Sequence, residues 1–307
     1  MTASLLMLQL LNGLQLGILL FLVAAGLTLV FGVMDFINLA HGAQYMLGAY
    51  LAASVGGALG SFWLGLLIAL PLSLGFGLAL EWLVFRHLYA RDHLAQVLAT
   101  FGVILVIDEG VRQLWGSAPL NVPQPEGFSG GITLMAGLTY PSFRLAIIAA
   151  GLAVAALMWL VVERTRLGML IRAGASNAPM VRALGVDTGR LFLGVIGVGA
   201  MLAGFAGAMA GPVFAVVPGM GDQVLILAFV VIVIGGIGSI RGAFIAALAV
   251  GLVESLGRAL MPELMRLFLD ASAARQAGAA IASMLVYAVM AAVLAWRPAG
   301  LFPAARA

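Results

Sequence analysis

The polar positions of this chain are few and fall in islands between long apolar runs. Residues 5–34 carry no charge. A membrane-spanning helix needs about 20 apolar residues, so this run predicts a first span. Gly13, Gly17, Gly26 and Gly32 interrupt it, a pattern that lets a helix tilt, kink or pack tightly on its neighbours. Later apolar runs predict spans at 62–85 (containing Pro71), 94–114, 141–162, 191–213, 224–234, 244–260 and 278–296. The run 191–213 is dense in glycine, which suits close helix packing. Residues 115–140 hold Pro119, Pro123 and Pro125 and no Lys or Arg, so they read as an external loop. Residues 261–276, with Arg266 and Arg275, predict an interfacial helix on the same side. The fold class is an all-α polytopic membrane protein, a single domain over 1–307. It has eight or nine transmembrane helices with broken or re-entrant Gly-rich segments. Nine spans, counting a crossing by 35–59, put the N-terminus outside and the C-terminus in the cytoplasm.

The islands between the runs are where chemistry can sit. DFINLAHGAQYMLGAY, residues 35–50, spaces Asp35, Asn38, His41 and Gln44 three apart. In a helix these would share one polar face, aimed at a cavity or the bundle interior. The other reading is a short loop in which Asp35 and Asn38 cap helices. IGGIGSIRGA, residues 234–243, predicts irregular backbone, tolerated at membrane depth only where protein or water satisfies it. His41-Gly42-Ala43 and Arg241-Gly242-Ala243 each precede a small-residue helix, a faint echo of an internal repeat. Asp108–Arg112 and Glu254–Arg258 are spaced to pair at i,i+4.

The most polar island is 163–190. It holds Arg164, Arg166, Arg172, Arg182 and Arg190, and an uncharged run of 31 residues follows it. A basic island between spans reads as cytoplasmic, and so does 86–93. Ser176 or Asn177 can cap a helix, Pro179 suits its first turn and Gly185 its stop. That predicts a short helix over about 178–184, with Met180, Val181 and Leu184 on one side and Arg182 beside them. It is either a docking element for a soluble partner or a solvated connector.

Composition narrows the function. The chain is 64% apolar and 9% charged, against about 25% charged in a soluble domain. All 15 basic residues are Arg, which excludes a Walker A phosphate loop and a Schiff-base lysine. With no Cys there is no disulfide or thiolate chemistry. Three His without an HExxH pattern, and no clustered ligands, speak against an intramembrane enzyme or a metal site. The net charge of +3 is that of loop arginines, not of a nucleic-acid surface. No basic residue precedes Arg86, so a cleavable signal is not expected and the first span stays.

Three stretches resemble the permease subunits of branched-chain amino-acid ABC importers: GLTLVFGVMDFINLAHGAQYMLGAY (26–50), RTRLGMLIRAGASNAPMVRALGVD (164–187) and IGGIGSIRGAFIAALAVGLVES (234–255). The resemblance is to the paralogue carrying the Asn-Leu-Ala-His-Gly segment. It implies a non-catalytic subunit of the bacterial inner membrane, moving branched-chain or related amino acids from periplasm to cytoplasm. Expected partners are a second paralogous permease, two cytoplasmic ATPase subunits, a periplasmic substrate-binding protein and the lipid bilayer, with no nucleic acid. This chain would bind no cofactor, and ATP–Mg would act in the ATPase subunits. The arginine island resembles the EAA-type coupling loop, with Met180, Val181, Arg182, Leu184 and Gly185 as coupling residues. It departs from that pattern in carrying Arg182-Ala183 where Glu-Ala-Ala would stand. Asn38, His41 and Gln44 are the expected lining of the translocation path or the permease interface. Relatives of this kind also move urea and short amides. The remaining alternative, an ion-coupled secondary transporter, would need deep carboxylates; Glu81, Asp108, Glu109 and Glu254 instead lie near span ends or beside arginines.

Overall fold

The computed structural model describes residues 3–135 and 138–302. Ten α-helices carry the fold: α1 (Ala3–Met34), α2 (His41–Leu59), α3 (Phe62–Leu83), α4 (His93–Trp115), α5 (Ser142–Arg164), α6 (Arg166–Ala183), α7 (Thr188–Ala210), α8 (Met220–Gly235), α9 (Ile240–Met265) and α10 (Ala271–Trp296). Seven of them, all but α2, α6 and α8, are long and apolar enough to cross a membrane. The apolar α8 has only 16 residues, and α2 opens on His41 and Gln44. The two begin side by side, with Gly42 against Gly221, and α2 begins alongside the middle of α1, where His41 meets the Val23 carbonyl. One end gathers Asp35 beside His93, Arg241 beside Glu163, and Leu301, whose N–H donates to the Ile234 carbonyl. Arg86, Arg91 and all of α6 belong to this basic end. The N-terminal end of α1 lies at the other, where Asn12 accepts hydrogen bonds from Tyr140 and Arg144. The C-terminal residues 303–307 fall outside the described residues.

The central element is α1. From Ile18 to Val30 nearly every side chain is buried, the signature of a helix apolar all round and surrounded by other helices. It packs most extensively on α9, and the two approach so closely that Gly13 and Gly17 face Gly251 backbone to backbone. The α2–α7 crossing is built the same way: a side chain on Gly48 would run into Gly204, and one on Gly207 into the Tyr45 carbonyl. Lipid supplies no hydrophobic drive between helices, so this close backbone packing is the main attraction available.

Three local expectations change. The predicted interfacial helix over 261–276 is not a separate element. Helix α9 continues through Pro262 to Met265, and α10 starts at Ala271, capped by the Asp270 carboxylate on the Ser272 and Ala273 N–H groups. Gly278 lets α10 pack on α9 at Pro262, which keeps both helices regular up to a short turn. The external loop contains an antiparallel hairpin, β1 (Gly131–Met135) and β2 (Leu138–Pro141), and Leu120 bridges to Val216. Glu254–Arg258 closes at 2.6 Å, but among the described residues Asp108 forms no ion pair with Arg112; Glu109 instead accepts from Gln113. In the connector between α3 and α4, Tyr89 donates to Glu81, and burial followed by that carboxylate holds its phenol above the usual range.

Candidate functional site

The break between α1 and α2 is the most polar buried region. Residues 35–40 leave the helical path, with Asp35 in left-handed backbone at φ 50°. The shared helical face expected from the three-residue spacing is therefore only half realised: His41 and Gln44 lie on α2, while Asp35 and Asn38 precede it. Asn38 does not cap α2 either; the N-cap is Ala40, without a side-chain bond. The irregular backbone is satisfied from α4. Gln96 Oε1 accepts from the Ile37 N–H at 3.2 Å and Thr100 Oγ1 from the Leu39 N–H at 3.3 Å. Both side chains are buried, so two N–H groups of this non-helical backbone are paired by protein rather than by water.

His41 is fully buried and sits against Gly26, where a Cβ would lie 2.9 Å from its Cε1. Its Nε2 lies 3.1 Å from the Val23 carbonyl and its Nδ1 3.1 Å from the Gln44 side-chain amide. The carbonyl can only accept, so Nε2 carries the proton and Nδ1 of the neutral ring accepts. The orientation of Gln44 that satisfies both groups turns its NH2 toward the ring. His41 thus ties the start of α2 to the middle of α1. Asn38, 1% exposed, has no partner for either end of its amide. All three predicted residues lie inside the chain's own bundle.

The 163–190 island folds as expected in outline. Helix α6 bends at Asn177 (φ −154°, ψ 85°), whose side chain caps the next turn by accepting from the Met180 N–H at 2.9 Å. Pro179 falls in that first turn. Gly185, at φ +86°, stops it with open space around its Cα, so glycine is required there by backbone conformation rather than by packing. The expected apolar side divides. Met180 and Leu184 are 57% and 76% exposed, while Val181 is 6% exposed and packs into this chain. Arg182 is not free: Nε and Nη2 donate to Thr188 Oγ1 at 3.1 and 3.0 Å, bracing the segment against α7. Sequence reasoning missed Gln96, Thr100 and Thr188. The signal for the first two was present, since two polar residues four apart within a span must face something polar.

Seven helices of membrane length, a buried break between α1 and α2 and a structured basic segment at one end make this a multi-pass membrane protein. Residues 9–295 match the family described as branched-chain amino acid transport system, permease component, and the chain belongs to that family. It is 32% identical to the high-affinity branched-chain amino acid transport system permease protein BraD of Pseudomonas aeruginosa, over 81% of this chain and 85% of the relative. The corresponding protein LivH of Escherichia coli is 30% identical over 82% and 86%. A probable LivH of the archaeon Methanocaldococcus jannaschii is 28% identical over 78% and 76%. No solved structure matches the chain. As an ABC importer permease it is a multi-pass inner-membrane transport subunit rather than an enzyme, and it works with ATPase and substrate-binding partners.

Proposed function

We propose that this chain pairs with a second, paralogous permease to carry branched-chain or related amino acids from periplasm to cytoplasm. Two cytoplasmic ATPase subunits bind and hydrolyse ATP–Mg, and this chain itself binds no cofactor. A periplasmic binding protein delivers the substrate. The observation that carries the reading is the match over 9–295 to a family whose relatives are named for branched-chain amino acid transport. The basic end faces the cytoplasm by the positive-inside rule. Because the chain has no Cys, a Ser176→Cys variant tests this: labelling by an impermeant reagent from outside intact cells would refute the orientation. The second half of α6 is the coupling element. What supports this is the exposure of Met180 and Leu184 on a capped helix outside the spans, a surface suited to an ATPase groove. Asn38, His41 and Gln44 are assigned to the wall of the path or the permease interface. The support is the Asn38 amide, a buried polar group that its own chain leaves unsatisfied.

The test is uptake by the reconstituted complex from a panel of labelled leucine, isoleucine, valine, other amino acids and urea. Saturable uptake of the three branched-chain amino acids is expected. Uptake of urea alone would overturn the substrate assignment.

A further inference from the structure

Gly42, Met46, Tyr50 and Ser54 lie four apart and form one stripe along α2. The inner part of the stripe holds the start of α8: Gly42 lies against Gly221, and the Gly219 N–H donates to the Met46 sulfur. The outer part holds the end of α4: the Tyr50 ring packs on Trp115 at 5.2 Å, and Ser54 accepts from the Trp115 indole N–H. Helices α4 and α8 each pack on α2 but not extensively on each other. Their charged residues, Asp108 and Arg112 on α4 and Asp222 on α8, therefore gather over one face of α2. Asp108 lies well inside the span α4, and Asp222 begins α8 beside Gly42, next to the histidine that meets the middle of α1.

These charges are not spent on one another. Among the described residues, the side chains of Asp108, Arg112 and Asp222 form no ion pair and no hydrogen bond. Asp222 acts on Asp108 more strongly than Arg112 does, although Arg112 is one turn away on the same helix. Asp222 and Arg112 are exposed and Asp108 is half-buried. Charged groups at this depth do not face acyl chains; they mark a wet path or meet a partner. A second observation points to a ligand. Tyr50 is fully buried, its hydroxyl has no partner, and Arg112 is the charge that acts on it. One turn inward of the two carboxylates, Leu105 on α4 and Ile226 on α8 are 54% and 49% exposed. From the inside outward the order is apolar pair, carboxylate pair, then guanidinium and hydroxyl. Two acids disfavour a simple anion, and the arginine disfavours a simple cation. An apolar amino acid satisfies all three layers, with its side chain inward and its carboxylate outward.

We infer that Asp108, Asp222, Arg112 and Tyr50 form a binding site for a free apolar amino acid in the outer half of the translocation path. The two carboxylates take its ammonium, Arg112 and the Tyr50 hydroxyl take its carboxylate, and Leu105 and Ile226 receive its side chain. The inference rests on the transport reading above and deepens it by naming residues that touch the substrate.

The experiment uses the full reconstituted complex without its periplasmic binding protein. It measures binding of labelled leucine and its displacement by isoamylamine, which lacks the carboxylate, and by isocaproate, which lacks the ammonium. Wild type is expected to bind all three, leucine most tightly. Asp108→Asn and Asp222→Asn should each weaken leucine and isoamylamine about tenfold or more and leave isocaproate unchanged. Arg112→Gln should weaken leucine and isocaproate and leave isoamylamine unchanged. A merely structural role would not sort the compounds by charge. Equal loss of all three, or separation of the two permeases in Asp108→Asn, means that the carboxylates serve folding or the permease interface, and overturns the site. Leu105→Ala with Ile226→Ala, both exposed in this chain, should lower the preference for leucine over alanine about tenfold; an unchanged preference also overturns the assignment. Leucine uptake driven by the binding protein, with no leucine bound in its absence, overturns the site while the transport reading stands. No amino-acid uptake at all removes the transport reading and this inference with it.

Discussion

The α1–α2 break and the α6 segment are both interruptions of helix, and they solve opposite problems. The break lies within the bundle, so its backbone can be paired only by protein; Gln96 and Thr100 do this from a helix about 60 residues away. The α6 segment lies outside the spans, where water pairs whatever the chain does not. It caps itself locally with Asn177 and leaves Met180 and Leu184 exposed. A buried interruption needs all its partners within the chain. An exposed one can hold its apolar side chains ready for another protein.

Breaking this contrast is most direct at Leu184. Leu184→Asp puts an unpaired carboxylate where the ATPase is proposed to sit, so substrate-stimulated ATP hydrolysis is expected to fall at least tenfold, together with ATPase co-purification. The thermal midpoint of the permease should not move, since the side chain touches little of its own chain. Normal coupling would reduce α6 to a solvated connector. Next in size, Thr100→Val and Gln96→Leu should each strand a buried N–H, at about 1–3 kcal/mol. Thermal unfolding in detergent should report the loss, and ATPase co-purification should survive in whatever protein remains folded. Equal stability of both variants would mean that the break finds other partners.

A finer test lies within one turn of helix. Val181→Ala removes buried methyl groups and should cost about 1–2 kcal/mol of stability. Met180→Ala should cost almost none and weaken the ATPase complex instead. If the two changes behave alike, the division of this turn into an inner and an outer side is wrong. The smallest effect is expected from Arg182→Ala. It loses two hydrogen bonds to one hydroxyl at a part-buried site, about 0.5–1.5 kcal/mol, read as a small drop in midpoint.

The spans were legible because twenty apolar residues in a row have few other meanings, and the short α6 helix because Asn177, Pro179 and Gly185 each act on their own neighbours. What could not be read was any partnership across the sequence. Nothing near Ile37 names Gln96, and nothing near Arg182 distinguishes a free guanidinium from one held by Thr188. The spacing of Asp35, Asn38, His41 and Gln44 suggested one helical face. The chain instead breaks after Met34, with Gly32 against Gly238, a contact on which local pattern is silent. Val181 was misplaced for the same reason: helical periodicity gives the apolar side but not which neighbour covers it.

The burial of α1 bears on how the protein is made. This helix is made before the other described helices, but its main partner, α9, begins roughly 200 residues later. At about 5–20 residues per second, α1 waits on the order of 10–40 s for the helix that covers Gly13 and Gly17. During that interval its bare backbone faces must be shielded by lipid or by the insertion machinery. Assembly of the core therefore waits until α9 has been made, and a truncation anywhere before α9 leaves the centre of the molecule without its closest neighbour.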